Sequence, residues 1–419
     1  MTRAPKLGFI GGFDGLRGIG IVAVMMAHAS DKYTHSFAAW VDLFFVISGF
    51  LIASLLIQEY SQNDSINVKK FYTRRALRLL PTLWLLFIVA FVVAVIVDLG
   101  GGFHGRALLP QILKEIGASF FYVYHNFYPV GTPSPSTHPI VLYHLWSLSV
   151  EEQFYFLIVP LMIFVLRRNR VKAAMAVLLA TALFVGTARL TSHAGPNLLW
   201  VQRPDGLVWG VLVAFINAHL TEPFMVKHRR KFLTMGTFAG LLAIFGMVTS
   251  LTPVNKIVSS FMGVPKKVPG WSGLWWPLSG DEIGRRVLSF SDPVATWWWW
   301  RFGFTATMLG VGGLILCLVR YKDWWLSRFL SHKPFLWLGR MSYTLYVWHA
   351  FIFIVLGTVF DGLGLIPAVI IKVAITFAIT VPIHYKLEVP IMKRKLKFAS
   401  EKETVDVESG KVVSSGSDS

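Results

Sequence analysis

Charge is scarce in this chain. Only 15% of its 419 residues are Asp, Glu, Lys or Arg, against about 25% in an ordinary soluble domain. That scarcity excludes the two or three globular domains that such a length would otherwise suggest. Cysteine is almost absent: Cys317 stands alone inside an apolar block. A disulfide framework and a cysteine metal site are excluded, and the redox compartment is left open. Acidic residues number 22 against 40 basic ones, for a net charge of +18. A nucleic-acid binder would gather that excess on one face of a soluble fold. Here Lys and Arg fall instead in short segments between apolar blocks, so no nucleic-acid partner is expected. Also missing are a phosphate-cradling glycine loop, a His-Glu-x-x-His metal site and a Gly-x-Ser-x-Gly elbow. There is no internal repeat of the kind that marks many transporters.

What the chain has is apolar length: 54% of residues are hydrophobic and 15% aromatic. They fall in blocks of about 18–22, enough to cross roughly 30 Å of hydrocarbon as helix. The sequence predicts an all-α, polytopic membrane bundle of about ten transmembrane helices. The spans run over about 9–30, 40–58, 79–98, 149–166, 173–191, 204–219, 232–250, 301–319, 341–359 and 363–385. Alternating from a cytoplasmic N-terminus, the inner segments collect most of the basic residues, including Lys69–Arg78, Arg167–Lys172 and Lys227–Lys231, as the positive-inside bias requires. Both termini are then cytoplasmic. The first block has a basic start but no small-residue cleavage site, and it holds Arg17 and His28, so it reads as a retained helix.

Two long outer segments remain. The first, about 99–148, has an amphipathic stretch from Arg106 to Phe127, suited to an interfacial or re-entrant helix, and then a Gly/Pro/Ser-rich piece from Gly131 to Pro139. The second, about 251–300, carries Trp275–Trp276 and Trp297–Trp300, rings suited to headgroup depth. Residues 1–395 form one membrane domain, and 396–419 read as a disordered polar cytoplasmic tail.

Ionisable groups inside a span are functional candidates by default. Arg17 and His28 are eleven residues apart. At about 100° per residue that is within roughly 20° of three full turns, and about 16 Å along the axis, so both lie on one helix face. A donor could keep its anionic end near Arg17 while its reactive end reaches His28; a bridging histidine and a snorkelling arginine are the plainer reading. Arg74, Arg75 and Arg78 share a second face, where guanidinium groups suit either the phosphates of a coenzyme or anionic lipid. His144 precedes Ser147, Ser149, Glu151 and Glu152 at the start of the fourth span. A helix N-cap accounts for one glutamate, while the other must face inward. Asp42 opens the second span, Asp14 lies in the first, and His349, among aromatics in the ninth, reads more readily as a bridge than as a catalyst.

Six segments, in order along the chain, resemble the bacterial membrane-bound acyltransferase family 3. They are Phe13–Gly18 with Arg17 and His28, Val41–Phe50, the Arg74–Arg75–Arg78 segment, Trp146–Tyr155, Ser342–Tyr346 with His349, and the closing Leu387–Pro390. The resemblance runs from residue 9 to about 392. It implies a multi-pass O-acyltransferase in the bacterial plasma membrane, carrying an acyl group, usually acetyl from acetyl-CoA, to a carbohydrate hydroxyl. No permanently bound cofactor is implied; acyl-CoA is a substrate. The acceptor would be a cell-envelope carbohydrate or glycolipid, with a macrolide or other glycosylated metabolite as the alternative. Some members carry a further hydrolase-like domain, whereas this chain reads as a stand-alone transferase. On this reading His28 is the general base, with Arg17 at the donor entrance. Arg74, Arg75 and Arg78 hold the coenzyme phosphates, and Glu151 or Glu152 orients the acceptor or a histidine. Asp14 and Asp42 pair with arginines, and His144 and His349 support. A transporter of an envelope precursor is the rival reading, and it predicts substrate movement without acyl-CoA consumption.

Overall fold

Apolar blocks can satisfy their backbone polar groups inside hydrocarbon only as helices or closed barrels, and here they form helices. The computed structural model describes residues 8–28, 39–102, 107–124, 141–191, 205–249, 257, 260, 302–360, 363–396, 404–405 and 412–413. Along the chain come α1 (Gly11–His28), α2 (Ala39–Asn63), α3 (Val68–Leu99), α4 (Leu109–Phe120), a 3-10 turn (Tyr143–Leu145) running into α5 (Trp146–Arg167), α6 (Val171–Thr191) and α7 (Asp205–His219). Then follow α8 (Glu222–Lys227), α9 (Arg229–Val248), α10 (Phe304–Arg320), α11 (Trp325–Leu330), α12 (Lys333–Phe360), α13 (Leu365–Ile383), a π-helical segment (His384–Glu388) and α14 (Val389–Leu396). A two-residue antiparallel pair, Thr404–Val405 with Val412–Val413, is what is described of the expected tail. Trp275–Trp276, Trp297–Trp300 and the Gly131–Pro139 piece lie outside the described residues.

A helix occupies each of the ten expected segments. Five stretches are long and apolar enough to cross a membrane: Trp40–Asn63, Val68–Leu99, Tyr143–Arg167, Arg229–Val248 and Ile366–Lys393. Shorter apolar helices cover Val171–Thr187, Asp205–His219 and Phe304–Arg320. The other two segments, in α1 and α12, carry Arg17 and His28, and Ser342, Thr344 and His349. Large apolar side chains such as Ile88, Ile96, Leu183, Phe238 and Ile370 are exposed on the outer faces, an arrangement for lipid rather than water.

The third helix begins earlier than its apolar block. Asn67 caps it, its Oδ1 accepting from the Lys70 N–H at 2.9 Å. The arginine run is therefore the opening of the same 32-residue rod that continues into the apolar span. At the far end Asp98 accepts the N–H groups of Leu108 and Leu109 at 2.6 and 2.9 Å, capping α4 from the preceding helix.

Close helix pairs rest on small residues, as they do where lipid removes the usual hydrophobic drive for association. A Cβ on Gly339 of α12 would fall 1.9 Å from the Asp14 carbonyl oxygen of α1. A Cβ on Gly49 of α2 would fall 2.1 Å from the Leu207 carbonyl oxygen of α7. These backbones touch, and the α1–α12 contact sets the distance across which the polar residues of both helices meet.

Candidate active site

Arg17 and His28 both reach α12. The Arg17 Nη2–H donates to Ser342 Oγ at 2.9 Å, and Asp14, one turn earlier, lies 3.6 Å from its guanidinium. His28, at the end of α1, meets His349 with 2.7 Å between Nδ1 and Nε2. The two rings stack at a centroid distance of 5.0 Å, and Tyr143 packs edge-on to His28 at 5.4 Å. The face read from helical period is thus the protein-facing one, with the two residues tied to α12 at positions 342 and 349.

His349 is fully buried, its Nδ1 within 3.0 Å of the Leu345 carbonyl and 2.8 Å of the Tyr346 carbonyl. His144 completes a trio, its ring 5.5 Å from that of His349. Its Nε2–H donates to the Val347 carbonyl at 3.0 Å, and its buried Nδ1 has no partner among the described residues. The Tyr346 hydroxyl donates to the His144 carbonyl and receives the Ser147 hydroxyl proton at 2.6 Å. The start of α5 is therefore fastened to α12 beside the histidines. Among the described residues, no three His, Cys, Asp or Glu side chains could hold a metal ion.

The three arginines of α3 do not share one partner. Arg75 forms a two-pronged ion pair with Glu152 of α5, through Nη2 to Oε1 and through Nε to Oε2 at 3.4 Å, and lies 3.7 Å over the Tyr155 ring. Arg74 faces Glu59 of α2 at 3.7 Å. Arg78 makes no hydrogen bond or ion pair among the described residues and stands near enough to Arg17 to repel it. Of the two adjacent glutamates, Glu152 is the more buried and is taken by Arg75, while Glu151 hydrogen-bonds Ser48 and Tyr155. Neither acid is joined to a histidine by these bonds. Asp42 is fully buried at the start of α2, beside α7.

Sequence reading alone missed two carboxylates. Glu115, in the middle of α4, is fully buried and accepts from Leu142 N–H (2.6 Å), Val141 N–H (3.3 Å), Gln111 Nε2–H (3.1 Å) and the Tyr124 hydroxyl (3.1 Å). Burial outweighs those donors and pushes its carboxyl up to about 7. Its signal was position: Ile112 and Ser119, on the same stripe, are buried with it. Glu388, noted only as part of the closing motif, takes the Thr344 hydroxyl proton and lies 2.8 Å from His384 Nδ1 within the π-helical segment. The i, i+4 spacing of His384 and Glu388 was the signal for that pair. Glu388 also attracts Arg17.

The arrangement therefore has two poles along α1. One is a cluster of neutral nitrogen bases, His28, His349 and His144. The other is a cationic pair, Arg17 and Arg78, of which Arg78 keeps its hydrogen-bonding capacity.

Comparison with known proteins identifies the family. The model of a family described as "Acyltransferase domain" matches residues 10–385. The chain is 28% identical to the Peptidoglycan O-acetyltransferase OatA of Listeria monocytogenes over 356 residues, 81% of this chain and 49% of that protein. It is 27% identical to the O-acetyltransferase OatA of Staphylococcus aureus over 396 residues, 93% of this chain and 58% of that protein. The chain thus spans about half the length of these curated relatives. No solved structure matches.

Proposed function

The chain belongs to this acyltransferase family, and on that premise we propose that it is a multi-pass membrane O-acyltransferase that esterifies a hydroxyl of a cell-envelope carbohydrate. The donor is an acyl-CoA, acetyl-CoA in the first place, and the site is in the bacterial plasma membrane. The name of the Listeria relative points to peptidoglycan as the acceptor class, with an envelope glycolipid as the alternative.

One observation carries the reading: His28 ends α1, while Arg17, three turns earlier on the same helix, stands beside Arg78 of α3. His28 removes the acceptor hydroxyl proton as general base, a role suited to a neutral imidazole with a free lone pair on one ring nitrogen. The oxygen attacks the thioester carbonyl carbon, the C–S bond breaks, and the leaving thiolate takes up the proton that the His28 imidazolium gives back, restoring the neutral base. Arg78 and Arg17 hold the anionic part of the donor, where guanidinium groups bind phosphate oxygens in pairs. Arg75 has a different task, bracing α3 against α5 through Glu152. The Ser147–Tyr346–His144 chain positions the outer rim, so Glu152 serves as support and His144 lies nearer the chemistry.

The test uses membranes of a host lacking its own envelope O-acetyltransferase, supplied with radiolabelled acetyl-CoA. Wild-type protein is expected to deposit base-labile label, and the labelled fraction, glycan or glycolipid, names the acceptor. Coenzyme-independent export of a precursor, with no label deposited, would refute the enzyme reading.

A further inference from the structure

We infer that His349 is a positioning residue that fixes the tautomer of His28, so that His28 presents a bare Nε2 to the acceptor. This rests on the reading of His28 as base and goes beyond it by naming the nitrogen and what holds it.

Hydrogen-bond chemistry at one end decides the other. The His349 Nδ1 lies 2.8 and 3.0 Å from the Tyr346 and Leu345 carbonyl oxygens. Carbonyl oxygens only accept, so Nδ1 carries the proton. The opposite tautomer would set a lone pair against two carbonyls in a fully buried site, at the cost of an unmade hydrogen bond in low dielectric. In neutral imidazole one nitrogen donates and the other accepts, so His349 Nε2 is an acceptor. The atom 2.7 Å from it is His28 Nδ1, which must then be the donor. The proton of His28 is held on Nδ1, and its Nε2, with no hydrogen bond among the described residues, bears the lone pair.

When that lone pair takes the acceptor proton, His28 becomes an imidazolium, and its bond to His349 becomes charge-assisted and stronger. A carboxylate usually orients a catalytic imidazole. Here a neutral imidazole does so, and no additional charge has to be buried between α1 and α12. His349 lies on the segment that Gly339 brings against α1, so its reach to His28 is set by helix packing rather than by a flexible side chain.

The test is nitrogen NMR of the full chain in proteoliposomes with 15N-labelled histidine, the His28 signal being assigned by its loss in His28→Gln. Wild-type protein is expected to show neutral His28 protonated on Nδ1. His349→Leu is expected to lose that preference, and His349→Asn, whose amide oxygen can accept from Nδ1–H, to restore it. A His28 proton on Nε2 in the wild type, or an unchanged tautomer in His349→Leu, would overturn the inference. In the labelling assay, His349→Leu is expected to lower kcat by about 10²–10³-fold with KM for acetyl-CoA near wild type, and His349→Asn to recover most of it. Equal loss in both variants indicates packing alone and overturns the inference. Full activity of His28→Gln would instead defeat the underlying base assignment.

Discussion

The Glu115 carboxylate accepts the Leu142 N–H at 2.6 Å, and through that bond α4 holds the segment that turns into His144 and α5. Two residues on, His144 meets α12, so a carboxylate carried by α4 fixes one side of the histidine cluster.

That carboxylate gives the protein a pH dependence of stability. Burial raises the Glu115 carboxyl to about 7, above its ordinary value near 4.5. A raised carboxyl favours the folded state most below the unfolded value, and the advantage is lost as pH rises from about 4.5 to 7, at most roughly 3 kcal/mol. Thermal unfolding of detergent-solubilised protein, followed by tryptophan fluorescence, should show this decline, and Glu115→Gln should flatten it. Glu115→Ala leaves the Leu142 and Val141 N–H groups unpaired and should cost about 1–3 kcal/mol for each.

The Arg75–Glu152 pair should behave as a buried unit. Either partner alone leaves an uncompensated charge, so Arg75→Leu or Glu152→Leu should destabilise by about 3–5 kcal/mol, and the double variant by much less than the sum. A double-mutant cycle on melting of the solubilised protein measures the coupling. If Arg75 were instead a direct phosphate ligand, Arg75→Leu would raise KM for acetyl-CoA without lowering the melting temperature.

Glycines separate contact from propensity. Gly339→Ala would place a methyl on the Asp14 carbonyl, pushing α1 from α12 and stretching both the Arg17–Ser342 and His28–His349 contacts. A loss of about 1–3 kcal/mol is expected, together with a sharp fall in activity. Gly117→Ala, in α4 with nothing within 4 Å of the new methyl, should leave activity intact and stabilise by about 0.5–1 kcal/mol. Parallel melting and labelling of the two variants checks the contrast.

Arg78 should act on the donor. Arg78→Gln is expected to raise KM for acetyl-CoA about tenfold or more, with a smaller change in kcat, because it removes binding energy shared by ground and transition states. Saturation kinetics in membrane vesicles gives the split.

How much of this could be read in the sequence depended on whether the signal was local. The shared face of Arg17 and His28 follows from helical period, and both do turn to protein. Their partners Ser342 and His349 lie more than 300 residues away, and no spacing encodes that. The period of Arg74, Arg75 and Arg78 likewise gave a face, but Glu59 and Glu152, arriving from α2 and α5, decide which guanidinium is left for a ligand. Glu115 escaped notice because one acid in a short amphipathic helix looks solvent-facing until its neighbours' burial is known. The apolar blocks were legible as helices, though α3 starts at Val68 because its basic run is itself helical and capped by Asn67.

The most direct measurement is acetyl transfer by His28→Gln, in protein shown by melting and membrane yield to be folded. Label incorporation from acetyl-CoA should fall by about 10²–10⁴-fold, with donor binding retained through Arg17 and Arg78. Incorporation near the wild-type rate would contradict the account, because the two poles of α1 would then not be the two ends of one reaction.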